Sequence, residues 1–333
     1  MTPFAPAWGT IIPFLRPIER FIDDPEVSDI LVNGGAVFVE KHGRMEEIAG
    51  LSMPEKMLRI AVRQTARALG NEIDEETPLL DARLPDGSRV AAVIPPCSVT
   101  GTILAIRKFH SKRYTAEELV RVGSLPPEVL VHLRHAIETR RNILIAGGAG
   151  TGKTTLLNAL ASFIDSKERI VVIEDTSEIQ LEQRNLVRLE ARRAQPGLSA
   201  VTIRDLLRTT LRLRPDRIIL GEVRDGEAFD LLQALNTGHQ GTLATIHANS
   251  AIEAISRFTT CVLMSGVELP YAAIRSNIAE ALNLIVHIER RVEDHPDGER
   301  RSLRRVSKVL EIGHYDPAQD RYVLKTLHPK ENA

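Results

Sequence analysis

At 333 residues the chain is long enough for about two domains of ~100–200 residues each and for a large core. Its 43% hydrophobic and 26% charged content is that of an ordinary soluble protein, while a net charge of -1 and 4% aromatics leave no global pull on nucleic acid and few platforms for stacking bases. Cys97 and Cys261 are far apart, form no metal pattern and read as packing residues in a reducing compartment. No apolar run reaches the ~18 residues of a membrane-crossing helix. Residues 1–8 lack the basic and long apolar segments of a secretory signal. A cytosolic protein is expected, with any membrane contact peripheral.

In chain order, residues 9–22 carry Ile11, Ile12, Leu15, Ile18 and Ile22, a short amphipathic helix broken at Asp24-Pro25. Residues 29–33 read as a strand, Gly34-Gly35 as a turn and 37–40 as the partner strand, with a further turn at His42-Gly43. The stretch 54–69 is helical, with Leu58, Val62, Ala66 and Leu69 on one stripe and Gly70 as its stop. Strands follow at 79–84, at 89–94 behind the turn Pro85-Asp86-Gly87-Ser88, and at 102–106. The expected N-terminal domain, residues 1–110, is therefore α+β with short antiparallel strands. A linker is placed at 111–125, centred on polar Ser111-Lys112-Arg113, and Thr115 is a plausible N-cap for a helix over 116–121. Pro126-Pro127 opens a helix leading to Arg140.

From Asn142 the pattern changes to apolar strands at 142–146, 169–173, 217–220, 242–246 and 284–288, mostly spaced for helical crossovers. That spacing argues for a second domain, 126–333, built on a mainly parallel sheet covered on both faces. A closing hairpin is expected from 306–315 and 321–327 across Asp316-Pro317. The mixed charges of 290–305, with Pro296-Asp297-Gly298, read as a solvated loop.

The strand at 142–146 runs into Gly147, Gly148, Ala149, Gly150, Thr151, Gly152, Lys153, Thr154 and Thr155, which contain G-x-x-x-x-G-K-[ST], and then into an apolar helical run. This is the strand–loop–helix context the phosphate-loop motif needs. Glycines let backbone N–H groups approach a phosphate, and the start of the next helix adds its unpaired N–H groups and positive dipole end. Lys153 would bring charge to the β/γ-phosphates, and the Thr154 hydroxyl would ligate magnesium.

Four further segments would converge there, since ligands in such sheets sit beyond the carboxyl ends of the strands. Glu174-Asp175-Thr176-Ser177-Glu178 ends one strand; it suits orientation of water near the γ-phosphate, though taken alone it reads sooner as an acidic turn or helix cap. Gly221-Glu222-Val223-Arg224 ends another: Glu222 takes the place of the magnesium-holding acid, with glycine where many phosphate-loop proteins carry Asp, and Arg224 is either an ion-pair partner or a phosphate contact. His239 and His247 bracket a strand whose ends are expected to face the site; polar sensing of the γ-phosphate is preferred over metal binding. Arg89 and Arg107 of the N-terminal domain either supply cationic charge to the transferring phosphoryl group or are surface arginines on an edge strand.

Taken in this order, Leu84-Pro85-Asp86-Gly87-Ser88-Arg89-Val90, Ile106-Arg107-Lys108-Phe109, the 147–154 loop, the 173–178 and 214–224 segments and the 238–249 segment resemble the traffic ATPases of type II and type IV secretion systems. The similarity is greatest to the branch serving conjugal transfer, type IV secretion and Tad-type pilus assembly. It runs from about Asp23 to Ile288 and includes the glycine at 221. The resemblance implies a RecA-like phosphate-loop NTPase domain and a smaller N-terminal α/β domain. It also implies a homohexameric ring binding ATP and magnesium between its domains, docked on secretion or pilus machinery at the cytoplasmic face of the inner membrane. Carried over, Lys153 and Thr154 bind phosphate and magnesium, Glu174 and Glu222 are the acidic pair, Arg224 and His247 lie near phosphate, and Arg107 is the N-domain arginine. Either Glu174 or Glu178 activates water, with Glu174 preferred. The chain lacks the cysteine quartet that some pilus-assembly relatives use for zinc. The alternative is a RecA-like nucleic-acid translocase, against which the balanced charge and scarce aromatics speak; no stable direct nucleic-acid binding is expected.

Overall fold

The computed structural model describes residues 5–41, 44–84, 86–109, 114–192, 194, 198–294 and 300–329. It divides into two compact units, Met1–Lys112 and Arg113–Ala333. Asp86, Gly87 and Ser88 form the expected turn, with Gly87 N donating to Leu84 O at 2.9 Å, while Pro85, the turn at His42-Gly43 and the linker core at 111–113 lie outside the described residues.

In the first unit, α1 (Ala5–Leu15), a 3-10 turn (Arg16–Ile18) and α2 (Glu19–Asp23) precede β1 (Val27–Asn33), β2 (Ala36–Lys41) and β3 (Arg44–Ser52). Then come α3 (Glu55–Ala68), β4 (Leu79–Arg83), β5 (Arg89–Val93) and β6 (Ile103–Arg107). The single helix expected over 9–22 is interrupted at Pro17, whose ring removes an N–H donor. The six strands pair antiparallel in the order β3-β2-β1-β6-β5-β4. Period-two alternation places Ile30, Val32, Val37, Val39, Val90, Ala92, Leu104 and Ile106 in one core with Leu58, Ala61, Val62 and Ala66 of α3. The strand β3 was not foreseen. Its residues are mostly exposed and many are charged, so backbone pairing with β2, not burial, defines it.

The second unit opens with α4 (Ala116–Arg121) and α5 (Pro127–Glu138). Thr115 caps α4 as expected: its Oγ1 accepts from Glu118 N at 3.1 Å and its N–H donates to Glu118 Oε2 at 2.9 Å. The 111–125 segment is not all linker, since Ala116, Leu119 and Leu125 are buried in this unit's core. Next come β7 (Ile143–Ala146), α6 (Lys153–Ala161), β8 (Ile170–Glu174), β9 (Leu186–Glu190), α7 (Ile203–Thr210), β10 (Arg217–Val223), α8 (Glu227–Asn236) and β11 (Leu243–Ile246). The chain continues through α9 (Ala251–Met264), α10 (Tyr271–Ala281), β12 (Leu284–Asp294), β13 (Arg300–Asp316) and β14 (Arg321–His328).

The sheet order is β14-β13-β12-β7-β11-β10-β8-β9, parallel from β12 to β9 and antiparallel at β13 and β14. Alternate residues divide between its faces. Leu144, Val171, Ile173, Ile218, Leu220 and Ala244 pack with α7 to α10. Ile143, Ile145, Ile170, Val172, Ile219 and Leu243 pack with α4 to α6. Each Val, Leu or Ile among them contributes ~1.5–3 kcal/mol when fully buried.

Three expectations are corrected. The edge strand β9 was missed. Much of the loop expected at 290–305 is the arm of an antiparallel hairpin, whose register sets Glu289 opposite Arg305, while Pro296-Asp297-Gly298 lies outside the described residues. Mixed charge there does not mark a loop, because backbone pairing between the two strands defines the arm. Cys261 is buried as expected, but Cys97 is exposed and packs no core. Among the described residues no helix is long and apolar enough to cross a membrane.

Candidate nucleotide site

Strands β7, β11, β10 and β8 are neighbours in the sheet, so their carboxyl ends release four loops along one edge. From β7 the chain enters the 147–152 loop, where Gly150 and Gly152 have φ of +68° and +96°. That region is open to glycine and costly for other residues. Gly147 is needed for a different reason. A Cβ there would stand 2.3 Å from Ile288 O on β12 and 2.7 Å from Thr151 Oγ1. Thr151 Oγ1 donates to Gly148 O at 3.0 Å, which ties the loop to itself. Ala149 and Gly150 are exposed at the apex, and Thr154 and Thr155 are half-buried in the first turn of α6.

Lys153 is buried, and its Nζ donates to Gly147 O at 3.0 Å and Gly148 O at 2.8 Å. Burial holds its pKa below the ordinary lysine value. The same Nζ lies 3.3 Å from Nε2 of His247, which follows β11. That Nε2 is also 3.1 Å from Glu222 Oε1. It can accept the third Lys153 proton or donate to Glu222, but not both at once. Desolvation of the ring, which leaves 46% of its side chain exposed, lowers the His247 pKa. Glu222 Oε2 accepts from Arg224 Nη2 at 2.7 Å, and Arg224 Nη1 donates to Asp175 Oδ2 at 3.1 Å. The register between β10 and β11 slips between Leu220 and Val223, at the point where Glu222 turns toward His247.

Glu174 is in a different setting, at 4% exposure. Its Oε1 accepts from the N–H groups of Glu178 at 2.8 Å and Ile179 at 2.9 Å. Burial raises its pKa to about 7 despite those two donors. A Cβ on Gly221 would be 3.0 Å from Glu174 Cγ, so the glycine at 221 makes room for this acid. The carboxyl of Glu174 thus acts as the cap of the 175–179 turn, and the Glu178 side chain is exposed.

The donor set suits magnesium. Thr154 and Glu222 offer hard oxygens, and magnesium fills its other positions with water and phosphate oxygens. Among the described residues no group of three or more His, Cys, Asp or Glu gathers to hold an ion by protein ligands alone.

A family model described as "Type II/IV secretion system protein" matches residues 15–317. The chain belongs to the type II/IV secretion system protein family. Over 299 residues it is 37% identical to the conjugal transfer protein TrbB of Rhizobium radiobacter, which covers 88% of this chain and 86% of the relative. Over 304 residues it is 35% identical to the type IV secretion system protein PtlH of Bordetella pertussis, covering 83% and 89%. The X-ray structure of the Legionella pneumophila ATPase DotB superposes with a TM-score of 0.62 at 21% identity, over 93% of this chain and 82% of that one, which is a likeness of fold. The second unit accordingly has a phosphate-loop fold, with strand, glycine-rich loop and helix set on a mainly parallel sheet.

In this secretion-system protein the phosphate loop, His247, Glu222 and Arg224 meet as the sequence suggests. His239 does not join them. It precedes the amino end of β11, with Nδ1 3.3 Å from Ala234 O, at the opposite end of the strand from His247. Arg107 belongs to the first unit, opposite Arg89 in the β5–β6 register, and its Nε donates to Asp29 Oδ1 at 2.8 Å. Two contacts went unforeseen. Asp175, beside Glu174 in the acidic segment, could have been found from that adjacency. Arg304 donates its Nε–H to Gly150 O at 2.9 Å. It lies in the segment that read as loop, and no local pattern marks it.

Proposed function

We propose that this protein is a magnesium-dependent ATPase whose turnover powers macromolecular transport by a type IV secretion or related pilus machine. It works as a homohexamer held peripherally on the cytoplasmic face of the inner membrane by machinery proteins. The observation that carries the reading is the unbroken run of polar contacts Lys153–His247–Glu222–Arg224–Asp175 along the edge where the phosphate loop opens.

Each residue has a role that its setting supports. The N–H groups of 147–155 and the start of α6 receive the phosphates. Lys153, stripped of most of its water, exchanges carbonyl partners for the β/γ-phosphates, where a cation in a dry site acts most strongly. Thr154 and Glu222 would hold magnesium, which would supply charge neutralisation to the phosphates. Arg224, paired with Glu222 and Asp175, steadies the acid and brings a cation to the phosphate edge. His247 reports the γ-phosphate through the Nε2 it shares with Lys153 and Glu222. Glu174 is the acid whose pKa of about 7 suits proton transfer near neutral pH. Arg107 of the first unit adds the further cation that the family resemblance implies.

Phosphate release from ATP by the purified protein tests this reading. Lys153→Ala should abolish turnover while the fold persists by circular dichroism. Hydrolysis at the parent rate would show that the site is misplaced.

A further inference from the structure

The family's motifs account for the four loops at the carboxyl edge of the sheet. The β12–β13 hairpin carries none of those motifs, yet it touches two of the loops. Ile288 O of β12 fills the space beside Gly147. His287, buried between β12 and β13 with its Nδ1 2.8 Å from Ser307 Oγ, faces the backbone of Ala248, next to His247. Arg304 of β13 reaches the apex of the phosphate loop. Its Nε donates to Gly150 O at 2.9 Å, and its Cδ lies 3.5 Å from where a Cβ on Gly152 would stand.

The Arg304 contact has a geometric consequence. The carbonyl of Gly150 and the N–H of Thr151 share one planar peptide unit and point in opposite directions. Holding the oxygen against the hairpin therefore fixes the N–H on the other side, away from the hairpin. Gly150 and Gly152, both at positive φ, flank this peptide and, as glycines, have much backbone freedom to lose. Arg304 is exposed, so core packing does not explain its placement. An N–H···O=C bond from a cation is stronger than a neutral one.

We propose that Arg304 is a positioning residue for the phosphate loop, fixing the Gly150–Thr151 peptide so that its N–H is set for phosphate before nucleotide arrives. It acts through Gly150 and does not itself touch the reacting atoms. The inference rests on the nucleotide site proposed above.

The test uses the full chain and a fluorescent N-methylanthraniloyl-ADP. Arg304→Met keeps the methylene stem beside Gly152 and removes the donors; Arg304→Lys returns a donor. The Met variant should raise Kd for the probe roughly fivefold to tenfold and raise KM for ATP by the same factor, with kcat within about twofold. Its melting temperature should stay within about 2 °C of the parent. The Lys variant should recover at least half of the lost affinity on a logarithmic scale. A Met variant that binds like the parent overturns the proposal. So does one whose affinity, kcat and melting temperature fall together, or a Lys variant no better than Met. If instead the parent protein fails to bind the probe, or Lys153→Ala binds it as well as the parent does, the nucleotide site is wrong and Arg304 is not the point at issue.

Discussion

The buried carboxyl of Glu174 makes stability depend on pH in a direction opposite to that of an ordinary paired acid. Its pKa rises from 4.5 to about 7 because desolvation outweighs the two backbone donors. The folded protein therefore holds a proton that the unfolded chain has given up between those values. Stability from this group is fully present below the lower value and is lost as pH rises through the upper one. At ~1.4 kcal/mol per pKa unit, the change between about pH 5 and about pH 8 is roughly 2–3 kcal/mol. Glu174→Gln removes the titration while keeping an oxygen for Glu178 and Ile179. Its buried amide needs a partner, which costs ~1–3 kcal/mol at every pH. The absolute effect of the substitution thus depends on that offset, but its pH dependence does not. In urea unfolding followed by circular dichroism, Glu174→Gln should gain roughly 2–3 kcal/mol on the parent between the acid and the alkaline condition. A difference between the two proteins that stays constant within about 0.5 kcal/mol across that range would refute the idea that desolvation governs this acid.

Other substitutions probe the packing around the site. Gly147→Ala should lower stability by ~1–3 kcal/mol and abolish nucleotide binding, because its Cβ meets the Ile288 carbonyl, a backbone atom that cannot swing aside; a variant with parental melting and binding would show that β12 yields freely. Glu168→Ala should be among the most damaging changes distant from the site. It strands the buried guanidinium of Arg217, which Glu168 meets at 2.7 Å and 3.0 Å, at a cost of ~3–5 kcal/mol. Loss of less than about 1 kcal/mol in the urea midpoint would mean that water reaches Arg217. Titration with a thiol reagent should modify Cys97 alone in the native protein and both cysteines in denaturant, since Cys261 is buried with its thiol pKa raised; two fast-reacting thiols in buffer would contradict the packing of α9.

The phosphate loop, the acid at 222 and the histidine at 247 could be named from the sequence because each sits at a strand end that period and composition already fix. The strands β7, β8, β10 and β11 are each built on a short apolar run, as buried parallel strands are. Local chemistry likewise determined the Thr115 cap, a contact between residues three apart. Three features escaped it. The strand β3 exists through pairing with β2 and buries little. The charged arm of the β12–β13 hairpin is ordered by a register that no single strand contains. The functional meaning of Gly221 depends on Glu174 from another strand. Sequence fixes what a residue can do and which way its own strand or helix faces. Only the fold decides which residues distant in the chain become neighbours, because contacts such as Arg304 with Gly150 join positions 154 residues apart and leave no trace in the local periodicity of either.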